Sequence, residues 1–209
     1  MLKLFYSPNA CSLASHIVLE ETGADYELVE TSTKAGKQRT PQFLAINPKG
    51  KVPALLTDKG VLTENPVILG YVAQSFPDAK LAPNDDSFAF GDMQAFNMFL
   101  SATVHVAFAH HFRPGRYVDG DEHQAAVKAK APEAVREHFA LIEAKLVDGR
   151  SWVHGEDYTT SDPYLLVFAR WYTEQGFGDL SDFTHLAAHR RRVEARPAVQ
   201  RALAAEGLS

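Results

Sequence analysis

The strongest constraint in this chain is a change of period near residue 80. Before that point, short β-branched or aromatic runs alternate with short helical patterns. After it, nearly every segment repeats its apolar residues at three- and four-residue steps. Such a chain is expected to pack an α/β unit against an all-helical one. Residues 2–6 read as a buried strand, stopped by Ser7-Pro8-Asn9. Residues 11–22 read as a helix closed by Gly23, and 26–29 as a second strand, which together make a βαβ unit with parallel strands. A polar loop over 34–39 and a helical turn over 41–46 follow. Strands over 54–57 and 61–63 are joined by the Asp58-Lys59-Gly60 turn. A third helix over 66–76 has Asn65 as its expected N-cap and Pro66 in its first turn. These four strands with helices on both faces are expected to bury a core of their own.

Residues 78–86, rich in proline and acid, read as a linker. Long helices are predicted over 87–111 and 124–147. A capping-box start at Thr159-Thr160-Ser161-Asp162 opens another, and shorter helices over 183–194 and 197–205 follow. The expected organisation is a first domain over 1–77, a linker over 78–86 and a helical domain over 87–209.

Composition narrows the function. The net charge of −5, from 21 Lys+Arg against 26 Asp+Glu, argues against a nucleic-acid partner. No apolar run reaches the ~18 residues of a membrane span. Met1 to Tyr6 does not read as a signal peptide, and the one cysteine, Cys11, makes no internal disulfide, so a reducing cytoplasmic setting is expected. Metal binding is not expected. His105, His110 and His111 fall on different helix faces, and a His185–His189 pair beside Asp182 lacks a further ligand. The arginines of Arg113-Pro114-Gly115-Arg116 suit either a cleft wall or a subunit contact.

Three features carry chemistry. Cys11 stands where a strand gives way to a helix, and the partial positive charge of a helix N-terminus favours a thiolate, its own or a bound one. The rival reading is a small buried residue. Val52-Pro53 opens a strand. The base rate favours a trans bond, whereas a cis bond would turn the Val52 backbone toward a peptide-like ligand. Glu64-Asn65-Pro66 opens a helix whose free N–H groups suit a carboxylate, while the Glu64 side chain suits an ammonium; plain capping is the alternative.

Phe5-Tyr6-Ser7-Pro8 with Cys11-Ser12-Leu13, then Phe43-Leu44-Ala45-Ile46-Asn47-Pro48-Lys49-Gly50-Lys51-Val52-Pro53-Ala54-Leu55, then Leu62-Thr63-Glu64-Asn65, resemble a glutathione transferase. The bacterial beta class is the most similar, and the likeness runs through Val104-His105 to the Thr159 start. The resemblance implies a thioredoxin-like N-terminal domain, an all-α C-terminal domain and a cytoplasmic homodimer that conjugates glutathione to small hydrophobic electrophiles in detoxification. It also implies a cis proline at 53. Val52 would pair with the cysteinyl unit of glutathione, Glu64 and Asn65 would hold the γ-glutamyl end, and Lys34 would approach the glycine end. Cys11 and His105 would flank the sulfur, with Tyr6 and Ser12 as rival sulfur contacts.

This chain departs from the family pattern in three places. Asn65 replaces a small residue and Pro66 lacks an N–H, which implies a weaker anion site. The helical-domain Asn and Ser contacts of the family fall on Met98 and Ala102, with Asn97 one step out of register. Lys37 and Arg39 share the loop of Lys34. Two further activities follow from the same resemblance: a non-catalytic ligand-binding or interaction protein on this fold, and disulfide reductase or peroxidase side activity through Cys11.

Overall fold

A computed structural model describes residues 1–208. Four strands, β1 (Leu2–Tyr6), β2 (Tyr26–Glu30), β3 (Ala54–Thr57) and β4 (Gly60–Thr63), form one sheet in the order β2-β1-β3-β4. β1 and β2 are parallel, with Leu4 opposite Leu28, and the β1–β3 and β3–β4 pairs are antiparallel. The helices of this half are α1 (Leu13–Thr22), α2 (Pro41–Ile46) and α3 (Asn65–Ser75). Gly23, at φ +64°, closes α1 in the left-handed conformation that glycine adopts freely. The thioredoxin-like sheet unit is thus followed by helices, as the change of period requires.

The remaining helices are α4 (Ser87–Phe99), α5 (His105–Phe112), α6 (Asp121–Leu146), α7 (Ser161–Glu174), α8 (Thr184–Glu194) and α9 (Pro197–Ala205). Asp86 caps α4 by accepting from Phe88 N–H and Ala89 N–H at 2.9 and 3.0 Å. Asp162 of α7 reaches back to the Thr159 N–H at 2.7 Å, the reciprocal half of a capping box.

Three local expectations need correction, and two connecting segments carry local structure of their own. α1 begins at Leu13, so Cys11 precedes the helix by a turn residue. α3 begins at Asn65, and its N-cap is Glu64, held at φ +72°. The predicted continuous helix over 87–111 is interrupted by a π-helical segment, Leu100–Val104, which inserts an extra residue between α4 and α5. The 34–39 loop contains a short 3-10 turn, Lys37–Arg39. The linker is anchored: a 3-10 turn, Pro77–Ala79, precedes buried Leu81, whose carbonyl accepts from Thr160 N–H at 2.9 Å.

The sheet unit does not keep its core to itself. One face of the sheet has a small cluster of Phe5, Phe43, Val52 and Ala54. The other continues without a break from Leu4 and Leu55, through Leu13 and Ile17 of α1, into Phe168 of α7 and Leu203 of α9. Apolar burial at roughly 25 cal/mol per Å² makes this shared layer the main adhesive between the halves. α1 packs on both α7 and α9, so the helical half holds the segment that carries Cys11.

Candidate functional site

The sheet unit and the helical half meet along a cleft formed by two adjoining cavities of about 440 and 170 Å³. Cys11, Lys51, Val52, His105, Ala109 and Arg116 line both, so they mark the junction. Lys34 lines the larger cavity, and Glu64 and Asn65 line the smaller. All six residues expected at the site from the sequence therefore face one cleft.

Cys11 lies on the turn between β1 and α1, and its Sγ donates to Val52 O at 3.6 Å. Burial pushes the thiol up to about 12. Its backbone contact opposes that rise, Glu64 adds to it, and Lys51 and Arg113 pull the other way. Of the two thiols that the helix terminus is expected to favour, the geometry supports the bound one, because α1 starts two residues after Cys11 and desolvation of Cys11 outweighs the helix terminus. His105 opens α5, with its ring against Trp171 at 5.3 Å and Phe168 at 5.7 Å. Burial first, then Lys51, Arg113 and Arg116, bring it down to about 4, which keeps the imidazole neutral near pH 7.

The Val52–Pro53 bond is cis, against the base rate and in line with the resemblance. The preceding turn needs Gly50 at φ +59°, where a Cβ would lie 2.7 Å from Arg39 Nη1. At the start of α3, Pro66 has no N–H and Val67 N–H already donates to Glu64 O at 3.1 Å, which leaves the Asn65 N–H for an anion. The Asn65 side chain is occupied elsewhere: Oδ1 accepts from Ser15 Oγ at 2.7 Å and Nδ2 donates to Cys11 O at 2.8 Å. Asn65 therefore ties α3 to the Cys11 turn, and its amide is not offered to a ligand. Glu64 accepts from Lys49 Nζ at 2.5 Å, a contact with about half of each side chain in water and correspondingly little strength.

Tyr6 and Ser12, the rival sulfur contacts, line neither cavity. Tyr6 packs on His16, and Ser12 Oγ bonds the backbone of Ser7. Met98 and Ala102 are exposed, and buried Asn97 accepts from Ser161 Oγ at 2.9 Å, which joins α4 to α7. Within the π turn, Ser101 borders the cleft beside Tyr164, one turn before His105. Lys51 and Trp171 were also missed as site residues. Lys51 stands inside the Asn47–Leu55 stretch, but a distant indole carries no local signal. Arg113 and Arg116, left open between cleft and subunit contact, line the cleft. His185 and His189 do not pair: His185 bonds Glu143 at 2.7 Å and His189 bonds Asp162 at 2.8 Å.

Two family profiles cover most of the sequence: glutathione S-transferase, N-terminal domain, over residues 1–74, and glutathione S-transferase, C-terminal domain, over 96–197. The chain belongs to the glutathione S-transferase family. Glutathione S-transferase GstA of Escherichia coli O157:H7 is 37% identical over 99% of this chain and 100% of the relative. Glutathione S-transferase GST-4.5 of Xanthomonas campestris pv. campestris is 35% identical over the full length of both. Among solved structures, a glutathione transferase homologue from Sulfitobacter with bound glutathione superposes at TM-score 0.92, with 33% identity over 100% of this chain and 99% of that one. The beta-class glutathione S-transferase of Sphingomonas chungbukensis superposes at 0.87, with 40% identity over 99% and 100%. This chain is accordingly an enzyme of the glutathione transferase type, and the beta-class likeness read from its motifs holds. In this transferase no described helix is long and apolar enough to cross a membrane.

Proposed function

We propose that this transferase binds glutathione across the Cys11–His105 junction and joins its sulfur to a small hydrophobic electrophile. The observation that carries the reading is the meeting of the two cavities at Cys11, Val52 and His105. In this reading residues 1–77 hold the tripeptide, 78–86 connect the halves, and 87–209 shape the electrophile pocket. The γ-glutamyl carboxylate takes the Asn65 N–H, and its ammonium takes Glu64 in place of Lys49. The cysteinyl backbone pairs with Val52, and Lys34 or Lys51 meets the glycine carboxylate. Glutathione bound in the Sulfitobacter homologue supports the tripeptide assignment. We also propose a cytoplasmic homodimer acting in detoxification; the exposed apolar side chains Val61, Val67 and Met98 are surfaces that a second copy would cover.

Ionisation alone supplies little of the rate. A thiol of pKa ~8.5 is about 3% thiolate at pH 7, and lowering it by ~2 units takes roughly 2.7 kcal/mol and gives about 75%. Nucleophilicity falls about eightfold over the same change at a Brønsted slope of ~0.4–0.5, so the net gain is about threefold. Holding sulfur and electrophile in contact offers up to ~7–11 kcal/mol. The neutral His105 and the Cys11 thiol then serve as hydrogen-bond donors to the glutathione sulfur, with Lys51 at the junction adding positive potential. Because the Cys11 thiol is held up at about 12, the reacting sulfur in this reading is that of glutathione, and disulfide reduction through Cys11 is at most a side reaction.

Retention on immobilised glutathione together with turnover of chlorodinitrobenzene tests the reading. Cys11→Ala and His105→Ala should each lower kcat/KM by roughly ten- to a hundredfold, the ~1.5–3 kcal/mol of one hydrogen bond to a charged group. Binding of hydrophobic dyes without turnover would instead assign the chain to ligand binding. Unchanged rates in Cys11→Ala would remove Cys11 from the sulfur contact.

A further inference from the structure

We infer that the acceptor side of the cleft selects an anionic electrophile, an activated aromatic ring bearing a carboxylate. The inference rests on the conjugating reading above and narrows it. Four cations line the larger cavity: Lys34 and Lys51 from the sheet unit, Arg113 and Arg116 from the end of α5 and the turn after it. None has an ion-pair partner among the described residues. Glu64, the acid bordering the smaller cavity, is already engaged by Lys49.

Glutathione does not use up this charge. It brings two carboxylates and one ammonium. The start of α3 suits one carboxylate, and a lysine on the sheet side suits the other. The two arginines remain, on the opposite wall, beside the edge-to-face rings of Phe112 and Trp171. Arg116 is partly desolvated and crowded by Arg113 and Arg39, a positive concentration that an anion relieves. A guanidinium fork matches a carboxylate with two parallel hydrogen bonds, and the aromatic wall matches a ring. One electrophile satisfies both when the ring carries the acid.

The chemical step is aromatic substitution. The thiol proton leaves to water, the sulfur lone pair forms a C–S bond at the ring carbon bearing chlorine, and the C–Cl bond breaks with its electron pair to release chloride.

The test compares chlorodinitrobenzene with chlorodinitrobenzoate, each kcat/KM divided by the uncatalysed rate with glutathione. The unmodified enzyme should favour the benzoate by about tenfold, the effect of roughly one charge-assisted pair. Added salt should shrink that preference. In the double variant Arg113→Gln, Arg116→Gln the ratio should fall to about one. A ratio of one in the unmodified enzyme overturns the inference, as does a preference that survives in the double variant. A rise in glutathione KM matching the lost preference also overturns it, because the arginines then belong to the tripeptide. Calorimetry with the two S-aryl glutathione conjugates reads the same choice without turnover. Tighter binding of the carboxylate conjugate, lost in the double variant, upholds the inference even if neither chloride reacts and conjugation itself fails. Equal binding, or none, sinks it.

Discussion

Cys11 and His105 share the junction of the two cavities, and burial moves them in opposite directions: the thiol up to about 12, the imidazole down to about 4. Both shifts have one cause, the cost of charge in a partly dry cleft, and both leave the side chain neutral near pH 7. A neutral pair can donate hydrogen bonds to a bound anionic sulfur without competing with it for the surrounding cations. The consequence for Cys11 is low intrinsic reactivity. Raising a thiol from ~8.5 to about 12 cuts its thiolate fraction about 3000-fold at pH 7, and the compensating gain in nucleophilicity is roughly 30-fold. Without glutathione, iodoacetamide should therefore alkylate Cys11 about 100-fold more slowly than free cysteine, a rate that intact mass against time would read. Labelling as fast as free cysteine would mean that the thiol is solvated and that its assigned environment is wrong.

At the scale of elements, α7 is held by one carboxylate. Asp162 is fully buried. Its Oδ1 accepts from Val153 N–H at 2.9 Å and bonds His189 Nε2 at 2.8 Å, and its Oδ2 accepts from Thr159 N–H and hydroxyl at 2.7 and 3.3 Å. Asp162→Ala would orphan these donors where water does not reach, so it should cost roughly 3–5 kcal/mol and lower the urea midpoint. A loss below about 1 kcal/mol would show that water or neighbouring groups replace the carboxylate. The capping-box pattern around Asp162 was legible in the sequence because its partners lie within a turn. The partnership with His189 was not, because a distant helix supplies it. The π turn at Leu100–Val104 likewise left no mark on the apolar spacing, since buried Leu100 and Val104 stand four residues apart as in an ordinary helix.

For the molecule as a whole, the last helix steadies the first turn of the site. Glu206, at the end of α9, bonds buried His16 of α1 at 2.8 Å and accepts from Asn9 N–H at 3.2 Å, while Trp171 Nε1 of α7 donates to Asn9 O at 3.0 Å. Asn9 is held at φ +56°, a conformation that asparagine tolerates, two residues before Cys11. Glu206→Ala should cost about 2–3 kcal/mol by stranding His16 and the Asn9 N–H. It should also raise the glutathione KM, because the Cys11 turn loses an anchor. Differential scanning calorimetry and steady-state kinetics read the two effects. A lower melting temperature with no change in KM would confine the pair to stability.

The sequence alone determined what depends on neighbours in the chain: the strand and helix order, the parallel βαβ start, the two-part organisation, and a motif set specific enough to gather Cys11, Lys34, Val52, Glu64, Asn65 and His105 into one cleft. Tertiary structure decided what depends on distant groups. It set the ionisation of Cys11, the diversion of the Asn65 amide to Ser15 and Cys11, the core shared between the halves, and the two arginines beside the aromatic wall, which have no ion-pair partner among the described residues. The reason is physical. Periodicity and capping act over a few residues, whereas desolvation and buried hydrogen bonds join atoms as far apart in sequence as Asn9 and Glu206, and only the folded chain brings those together.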